Sequence, residues 1–404
     1  MPGGTSAVIV SALRTPVGRY GGVLHDVRPD DLGASVIAAL VESVKADPAG
    51  IDDVIWGCAN QAGEDNRNVG RMSLLLAGLP FSVPGTTVNR LCGSSLEAVI
   101  QAARGIRTGD METVIAGGVE SMSRAPYAVA KPRPGGTGNL TAFDTSLGWR
   151  FPNPRMKEMF PLESMGETAE NVAERYGISR EEQDTYAFES HMKAVKAQTS
   201  GLFDAEIIPL DLPVKRGGTL RVRVDEGPRP DTTLAKLSAL PPVFRAGGTV
   251  TAGNSSPLND GASGVLIMSE ARARSGGITP LARIASSGVA GVDPRFMGMG
   301  PVPAARAALR SAGISIDDVG VIELNEAFAS QSIAVVRELG ASPGRVNPNG
   351  GAIALGHPLG CSGTRILTTL LNSMLRLRVK WGLAAMCIGV GQGIAVVLEN
   401  PSGV

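Results

Sequence analysis

The sequence has no apolar run of about 18 residues, the length a helix needs to cross a bilayer, so it does not read as a helical membrane protein. Between Met1 and Pro16 the only apolar run is Ala7–Val10, too short for the core of a secretory signal. The expectation is a cytoplasmic protein. Charge of either sign is not in surplus: Lys+Arg and Asp+Glu are 38 each and the formal net charge is zero. No global field therefore draws the chain to nucleic acid or to an anionic membrane. Cysteine is scarce. Cys58, Cys92, Cys361 and Cys387 are the whole set, and none sits in a Cys-x-x-Cys pair. That removes zinc and thioredoxin spacings, and no metal site is expected. A disulfide framework is not expected in a reducing compartment. Histidine is scarcer still, with only His25, His191 and His357.

What is abundant is glycine, 52 residues in short clusters between apolar runs. Such clusters fit tight turns and close backbone approach. With 404 residues, 43% of them hydrophobic, the chain is long enough for two or three domains with a sizeable core. Short apolar runs alternate with stretches of helical period. Ala7–Val10, Val54–Ile55 and Val114–Ala116 read as strands. Asp31–Val44, capped by Asp30 or Asp31, and a stretch from about Ser95 to Ile106 read as helices. This alternation argues an α/β architecture.

The second half repeats the order of the first. Ile51-Asp52-Asp53-Val54 before one strand is echoed by Ile316-Asp317-Asp318-Val319 before another. Val88-Asn89 before a helix is echoed by Val346-Asn347 before a Gly-rich turn and a helix near Thr364–Leu375. Val114–Gly118 is echoed by Leu383–Gly389. A series of matches in one order points to two duplicated α/β domains packed together. The region 124–256 breaks the pattern. It is rich in Pro, Gly and charge, with helices expected at Met165–Tyr176 and Arg180–Gln198. Arg221, Arg223, Arg229 and Lys236 fall in its later part, and a long insert on a rigid scaffold is a natural place for ligand binding.

Four places carry residue types suited to chemistry. Cys92 precedes Ser94-Ser95-Leu96-Glu97, which has the Ser-x-x-Glu form of a capping box. A thiol at a helix mouth gains from unpaired N–H groups and the helix dipole, which lower its pKa. The competing reading is an inert, packed cysteine. His357 lies among glycines from Gly350 to Gly360, which suggests a shaped turn with an exposed imidazole, whereas His25 and His191 read as surface residues. Cys387 follows an apolar strand and enters the turn Gly389-Val390-Gly391, whose N–H groups are suited to an oxyanion. Asn325 ends the strand Val321–Leu324, and functional groups cluster beyond strand ends in open α/β sheets. Cys58 and Cys361 lack such context and read as structural.

These blocks, Cys92-Gly93-Ser94, Asn325-Glu326-Ala327-Phe328, Gly356-His357-Pro358 and Cys387-Ile388-Gly389, resemble in order the four active-site blocks of the thiolase family. The resemblance runs over nearly the whole chain and includes Arg14-Thr15-Pro16, Ala116–Ser123, Gly166–Val172 and Thr249–Asn254. Gly57–Val69 and Gly148–Phe151 look most like the degradative, β-ketoadipyl-CoA type. The resemblance implies a thiolase fold of two βαβαβ-type domains in five layers, α-β-α-β-α. Residues 1–123 plus 257–277 would form the N-terminal domain, 124–256 an inserted CoA-binding loop domain, and 278–404 the C-terminal domain.

It also implies CoA-dependent cleavage of a 3-oxoacyl-CoA to acetyl-CoA and a shortened acyl-CoA, in fatty-acid or aromatic and dicarboxylate degradation. Cys92 would be the acyl-carrying nucleophile and His357 its activator. Asn325 would hold a water at one oxyanion site, and Cys387 would be the acid/base. The N–H groups of Cys92 and Gly389 would form a second oxyanion hole. Arg229 and Ser256 would meet CoA, and Met165, Ala327 and Phe328 would line the pocket. No bound cofactor is implied, only CoA and acyl-CoA thioesters as substrates, in a homodimer or homotetramer. Two departures, Ser95 and Val390 where many relatives have glycine, add bulk near the site. Ser164 stands where acetoacetyl-CoA-specific members tend to have histidine. The competing classes are a decarboxylating ketoacyl synthase, which lacks a second cysteine acid, and a non-catalytic acyl-CoA or lipid carrier, which loses one of the reactive residues.

Overall fold

The computed structural model describes residues 5–132, 139–214 and 217–403. Its framework is a ten-stranded mixed sheet. The principal strands are β1 (Ala7–Arg14), β2 (Asp53–Gly57), β3 (Gly85–Val88), β4 (Thr113–Ser121), β5 (Asn259–Ser269), β6 (Ala282–Gly291), β7 (Val319–Leu324), β8 (Trp381–Ile388) and β9 (Gln392–Glu399). They run in the order β7-β8-β9-β6-β1-β5-β4-β2-β3, with the short strand Gly18–Arg19 pairing off the path. The principal helices are α1 (Pro29–Ser43), α2 (Val69–Leu76), α3 (Ser94–Thr108), α4 (Met165–Tyr176), α5 (Arg180–Thr199), α6 (Pro301–Ala312), α7 (Ala329–Leu339) and α8 (Ser362–Leu377).

The duplication is visible in the pairing. In the first half β1 is antiparallel to β5 and β5 to β4, while β4, β2 and β3 run parallel. In the second half β6 is antiparallel to β9 and β9 to β8, while β8 and β7 run parallel. The counterpart of β3 is a single parallel bridge, Ile322 to Val346, at the position where the sequence repeats Val-Asn. The halves join through β1 and β6, at Val8–Arg283 and Ile9–Ala282.

Strand alternation then sorts the core into layers. Ile55 and Ala116 face α3 and α8 together with Val321 and Met386 of the other half. Val54 and Trp56 face outward against Leu32, Ile37 and Leu40 of α1. Ile322 and Leu383 face outward against Ala305 and Leu309 of α6 and Val335 of α7. The central layer is therefore α3 crossing α8, enclosed by the two half-sheets, with α1/α2 and α6/α7 outside. The crossing is close: a Cβ on Gly363 would lie 2.5 Å from the Leu96 nitrogen. Among the described residues no helix is long and apolar enough to cross a membrane.

Two expected caps are corrected. Helix α1 starts at Pro29 with Arg28 as N-cap, and Asp30 and Asp31 lie in its first turn, where carboxylates suit the helix dipole. Helix α3 has Gly93 at its N-cap and no side-chain cap. Ser94 Oγ instead donates to the Leu91 carbonyl, and Glu97 pairs with Arg90 at 3.0 Å. True capping boxes occur in the insert, at Ser164/Glu167 and Ser179/Glu182.

Candidate active site

Cys92 occupies the turn between β3 and α3. Leu91 takes a left-handed φ of 47°, which sharpens the turn and aims Cys92 off its end. Gly93 packs closely against β8 and β9, since a Cβ there would meet Ile388 Cδ1 at 2.6 Å and Ile394 Cγ2 at 3.1 Å. The Cys92 residue is partly exposed. Even so, desolvation pushes its thiol up to about 11, against the pull of the N–H groups of Gly389 and of Cys92 itself. The expectation of a lowered pKa is thus overturned. The helix mouth does contribute N–H groups, but dryness outweighs them when no cation faces the sulfur.

Cys387 lies one residue from the end of β8, buried at 2%. Burial first, and the nearby Cys92 second, hold its thiol well above the usual range. Gly93 lies against Ile388, so the residues that follow the two thiols are packed together, and the Gly389 N–H reaches the Cys92 sulfur. After Gly389 the chain turns through Val390 at φ 64° and Gly391 at φ 81°. A β-branched side chain in that region is strained, so the departure at Val390 acts on the turn's backbone. Ser95, the other departure, is fully buried. It accepts from Thr364 N–H at 3.0 Å and donates to the Cys361 carbonyl at 3.1 Å, tying the start of α3 to the start of α8.

Asn325 extends β7 by one more pairing, its N–H donating to the Ala385 carbonyl. Its Nδ2 lies 3.4 Å from His357 Nε2, and its Oδ1 is buried with no protein partner. His357 is 5% exposed rather than the exposed imidazole expected from its glycines. Those glycines let the loop sink into the junction instead. A Cβ on Gly356 would strike the Asn259 side chain at 2.5 Å, and Asn259 Oδ1 accepts from the His357 N–H at 2.9 Å. Burial first, and the Arg365 charge second, push the imidazole down to about 3, so it is neutral at pH 7. Its tautomer follows from its partner. The Ser362 hydroxyl has one proton and donates it to the Pro358 carbonyl at 2.8 Å. It therefore accepts from His357 Nδ1 at 2.6 Å, which leaves Nε2 as the free base toward Asn325.

Buried acids hold these loops. Glu120, at the end of β4, accepts from Ala59, Asn60 and Gly360 N–H groups at 2.9, 3.1 and 2.8 Å. Burial still pushes its carboxyl up to about 7. Glu326 accepts from Ser190, Asn347 and Ile353 and so pins α5 of the insert to the turn before His357. Asn259 and these two acids were not singled out from sequence. The signal available was a set of carboxylates at strand ends beside glycine turns, which sequence cannot separate from solvent-facing acids.

Around the thiols stand Met165, Ala327 and Phe328, packed with Cys387 in one apolar cluster. Met165 Sδ lies 3.4 Å and Leu91 Cδ1 3.5 Å from where a Gly389 Cβ would be. Phe244 meets Phe328 edge to face at 6.3 Å. Ser256 donates its N–H and its hydroxyl to the Ala327 carbonyl at 3.0 and 3.1 Å. Arg229 is exposed, with its N–H on His191 Nδ1 at 3.3 Å. His191 is 6% exposed, which corrects its reading as a surface residue. Burial, then the Arg229 charge, push it down to about 4. Cys58 and Cys361 are buried and free. Cys58 donates to the Asn60 carbonyl and Cys361 to Ser263 Oγ. Among the described residues there is no group of three or more His, Cys, Asp or Glu arranged to hold a metal.

Comparison with known proteins agrees with this arrangement. Residues 7–271 match the thiolase N-terminal domain and residues 278–400 the thiolase C-terminal domain. The chain is 54% identical over 397 residues to the 3-oxoadipyl-CoA/3-oxo-5,6-dehydrosuberyl-CoA thiolase of Escherichia coli K12, covering 98% of this chain and 99% of that protein. It is 53% identical over 398 residues to a β-ketoadipyl-CoA thiolase of Acinetobacter baylyi, with coverage of 98% and 99%. The crystal structure of human mitochondrial 3-ketoacyl-CoA thiolase superposes with a TM-score of 0.93 at 41% identity, over 98% of this chain and 99% of that one. With both domains matched in order, the chain belongs to the thiolase family and is an acyltransferase.

Proposed function

We propose that this thiolase cleaves a dicarboxylic 3-oxoacyl-CoA of the 3-oxoadipyl-CoA kind, giving acetyl-CoA and succinyl-CoA. The substrate follows the names of its 54% and 53% identical relatives. The observation that carries the mechanism is the packing of the Cys92 turn against the end of β8, with Gly93 on Ile388, beside Cys387 and Gly389. His357, next to Asn325, is a neutral base whose tautomer is fixed by Ser362.

His357 Nε2 takes the Cys92 proton, and the thiolate attacks the C3 ketone. The N–H groups of Cys92 and Gly389 receive the oxyanion that forms. The carbonyl re-forms, the C2–C3 bond breaks, and the electron pair moves into the acetyl thioester as an enolate. Protonated His357 and a water on Asn325 stabilise the enolate oxygen, and Cys387 donates its proton to C2. Acetyl-CoA leaves, and the succinyl group remains on Cys92. A second CoA thiol gives its proton to the Cys387 thiolate and attacks the acyl-Cys92 carbonyl. The Cys92 thiolate leaves and recovers its proton from His357. Two thiols of high pKa suit this exchange, because each is neutral at rest; the Cys387 thiolate and the protonated His357 coexist only in the acyl-enzyme and are discharged when CoA reacts.

The scheme uses CoA as co-substrate and needs no resident cofactor. Arg229 fits the phosphate end of CoA, and Ser256, whose hydroxyl faces Ala327, fits the pantetheine arm. The chain is expected to form a homodimer or homotetramer. Strand β3 is a sheet edge, and nearby Leu76 and Phe81 are 56% and 87% exposed.

Mass spectrometry of the enzyme mixed with 3-oxoadipyl-CoA without free CoA tests the assignment. A succinyl adduct is expected on the peptide containing Cys92 and absent in Cys92→Ala. An adduct on another residue, or thiolysis surviving in Cys92→Ala, would refute it.

A further inference from the structure

A substrate that ends in a carboxylate needs a cation at the far end of its pocket. Three arginines near the site's loops stand out in the sequence: Arg67, Arg90 and Arg150. Their surroundings differ. Arg90 is already engaged, by Glu97 Oε2 at 3.0 Å and Gln392 Oε1 at 3.0 Å. Arg67 is exposed at a loop tip with a left-handed φ of 64°. A surface charge of that kind contributes little to a pair. Arg150 is half-buried. Its Nη1 donates to the Thr145 carbonyl at 3.3 Å, and no ion pair joins it to a carboxylate among the described residues.

Its loop is held across one side of the candidate site. On one flank, Trp149 Nε1 donates to the Glu163 carbonyl at 3.1 Å, two residues before Met165. Met165 faces the space above Gly389 opposite Leu91. On the other flank, Asn60 Nδ2 donates to Thr145 Oγ1 at 2.9 Å, and Asn89 Nδ2 donates to the Ala59 carbonyl at 2.9 Å, three residues before Cys92. The contacts close a ring: Met165, Glu163, Trp149, Thr145, Asn60 and Asn89 back to the Cys92 turn. Arg150 directly follows the Thr145–Trp149 segment that spans the gap, and its Nη1 reaches back to the Thr145 carbonyl.

The segment is also strained. Gly148 has φ 85° and Phe151, a bulky residue, has φ 48°. Phe151 is braced edge to face against Phe143 at 5.0 Å. Strain of this kind persists only where surrounding contacts over-determine it, and it clusters where a side chain must be aimed. The strained turn holds Trp149-Arg150 in place, with the Asp65 carboxylate near enough to feel the guanidinium charge but joined to it by no ion pair among the described residues.

We propose that Arg150 binds the distal carboxylate of the acyl group and sets the preference for dicarboxylic over plain 3-oxoacyl-CoA substrates. This rests on the dicarboxylate reading above. The carboxylate would take the unpaired fork of the guanidinium, while Thr145 holds one nitrogen. A half-buried cation held this way binds more strongly than a mobile surface one, because the screening is weaker.

The test compares kcat and KM for 3-oxoadipyl-CoA and acetoacetyl-CoA in the wild type, Arg150→Gln, Arg150→Lys and Arg67→Gln. Arg150→Gln is expected to lower kcat/KM for 3-oxoadipyl-CoA by about 10- to 150-fold, the range for a lost hydrogen bond to a charged group, with acetoacetyl-CoA changed by less than about twofold. The unchanged acetoacetyl-CoA rate reports that the loop still folds. Arg150→Lys is expected to recover part of the loss through KM, since lysine restores the charge without the fork. Arg67→Gln is expected to match the wild type. Equal losses on both substrates in Arg150→Gln would make Arg150 a support for the loop and overturn the proposal. So would an intact preference in Arg150→Gln, or loss of the preference in Arg67→Gln. A wild type with no preference for 3-oxoadipyl-CoA would overturn the dicarboxylate reading itself.

Discussion

Replacing Ser362 with alanine isolates the step that makes His357 a base. In the native arrangement the Ser362 proton goes to the Pro358 carbonyl, and its oxygen accepts the His357 Nδ1 proton at 2.6 Å. Ser362→Ala removes that acceptor and leaves a buried N–H unpaired. The expected cost is about 1–3 kcal/mol in stability, seen as a lower denaturation midpoint. The catalytic effect has the same origin. With Nδ1 unsatisfied, the imidazole favours the other tautomer or turns, and the Nε2 lone pair is no longer presented. If the same 1–3 kcal/mol appears in the barrier, kcat falls by roughly 5- to 150-fold. KM should change little, because Ser362 is fully buried behind the histidine. Thiolysis of acetoacetyl-CoA, followed by loss of its ultraviolet absorbance, gives kcat and KM. Wild-type kcat in a folded Ser362→Ala protein would refute the tautomer argument.

Two other outcomes follow from the site. Burial pushes the Cys92 thiol up to about 11 and His357 down to about 3, so the resting pair is neutral across the usual working range. The rate of Cys92 alkylation in the free enzyme should rise about tenfold per pH unit between roughly pH 7 and 9, following the thiolate fraction. A flat profile there would mean a preformed thiolate–imidazolium pair and would contradict the burial argument. Val390 holds a left-handed φ of 64°. Val390→Gly should remove about 1–2 kcal/mol of backbone strain, offset by the roughly 0.5–1 kcal/mol that glycine's extra freedom costs, for a net gain of up to about 1.5 kcal/mol. Chemical denaturation measures this, and a loss of stability would show that the valine side chain makes compensating contacts.

Much of the scaffold was legible because it depends on local rules. Met165–Tyr176 appears as written, since its apolar spacing, the Ser164 N-cap and the C-terminal Gly177 all agree. The repeated Ile-Asp-Asp-Val and Val-Asn segments marked the two halves, and the structure gives them equivalent places in equivalent half-sheets. The misreadings share one cause. Ser94 and Glu97 have the spacing of a capping box, but Arg90 and the Leu91 carbonyl, brought close by the turn, compete for both side chains. His191 looked exposed on a polar helix, yet that helix is covered by the Pro228–Arg229 segment of the insert. His357 looked exposed among glycines that in fact let it sink.

The sequence by itself determined the residue types, their order, the duplication and the balance of charge, because each follows from composition, periodicity or the identity of a side chain. Only the tertiary structure decided which groups meet and in what state. The proton on His357 depends on Ser362 and Pro358. The high pKa of Cys92 depends on how dry the crossing of α3 and α8 is, and the freedom of Arg150 depends on which carboxylates other loops bring near. Those are properties of solvent exclusion and of contacts between segments hundreds of residues apart, and no local rule contains them.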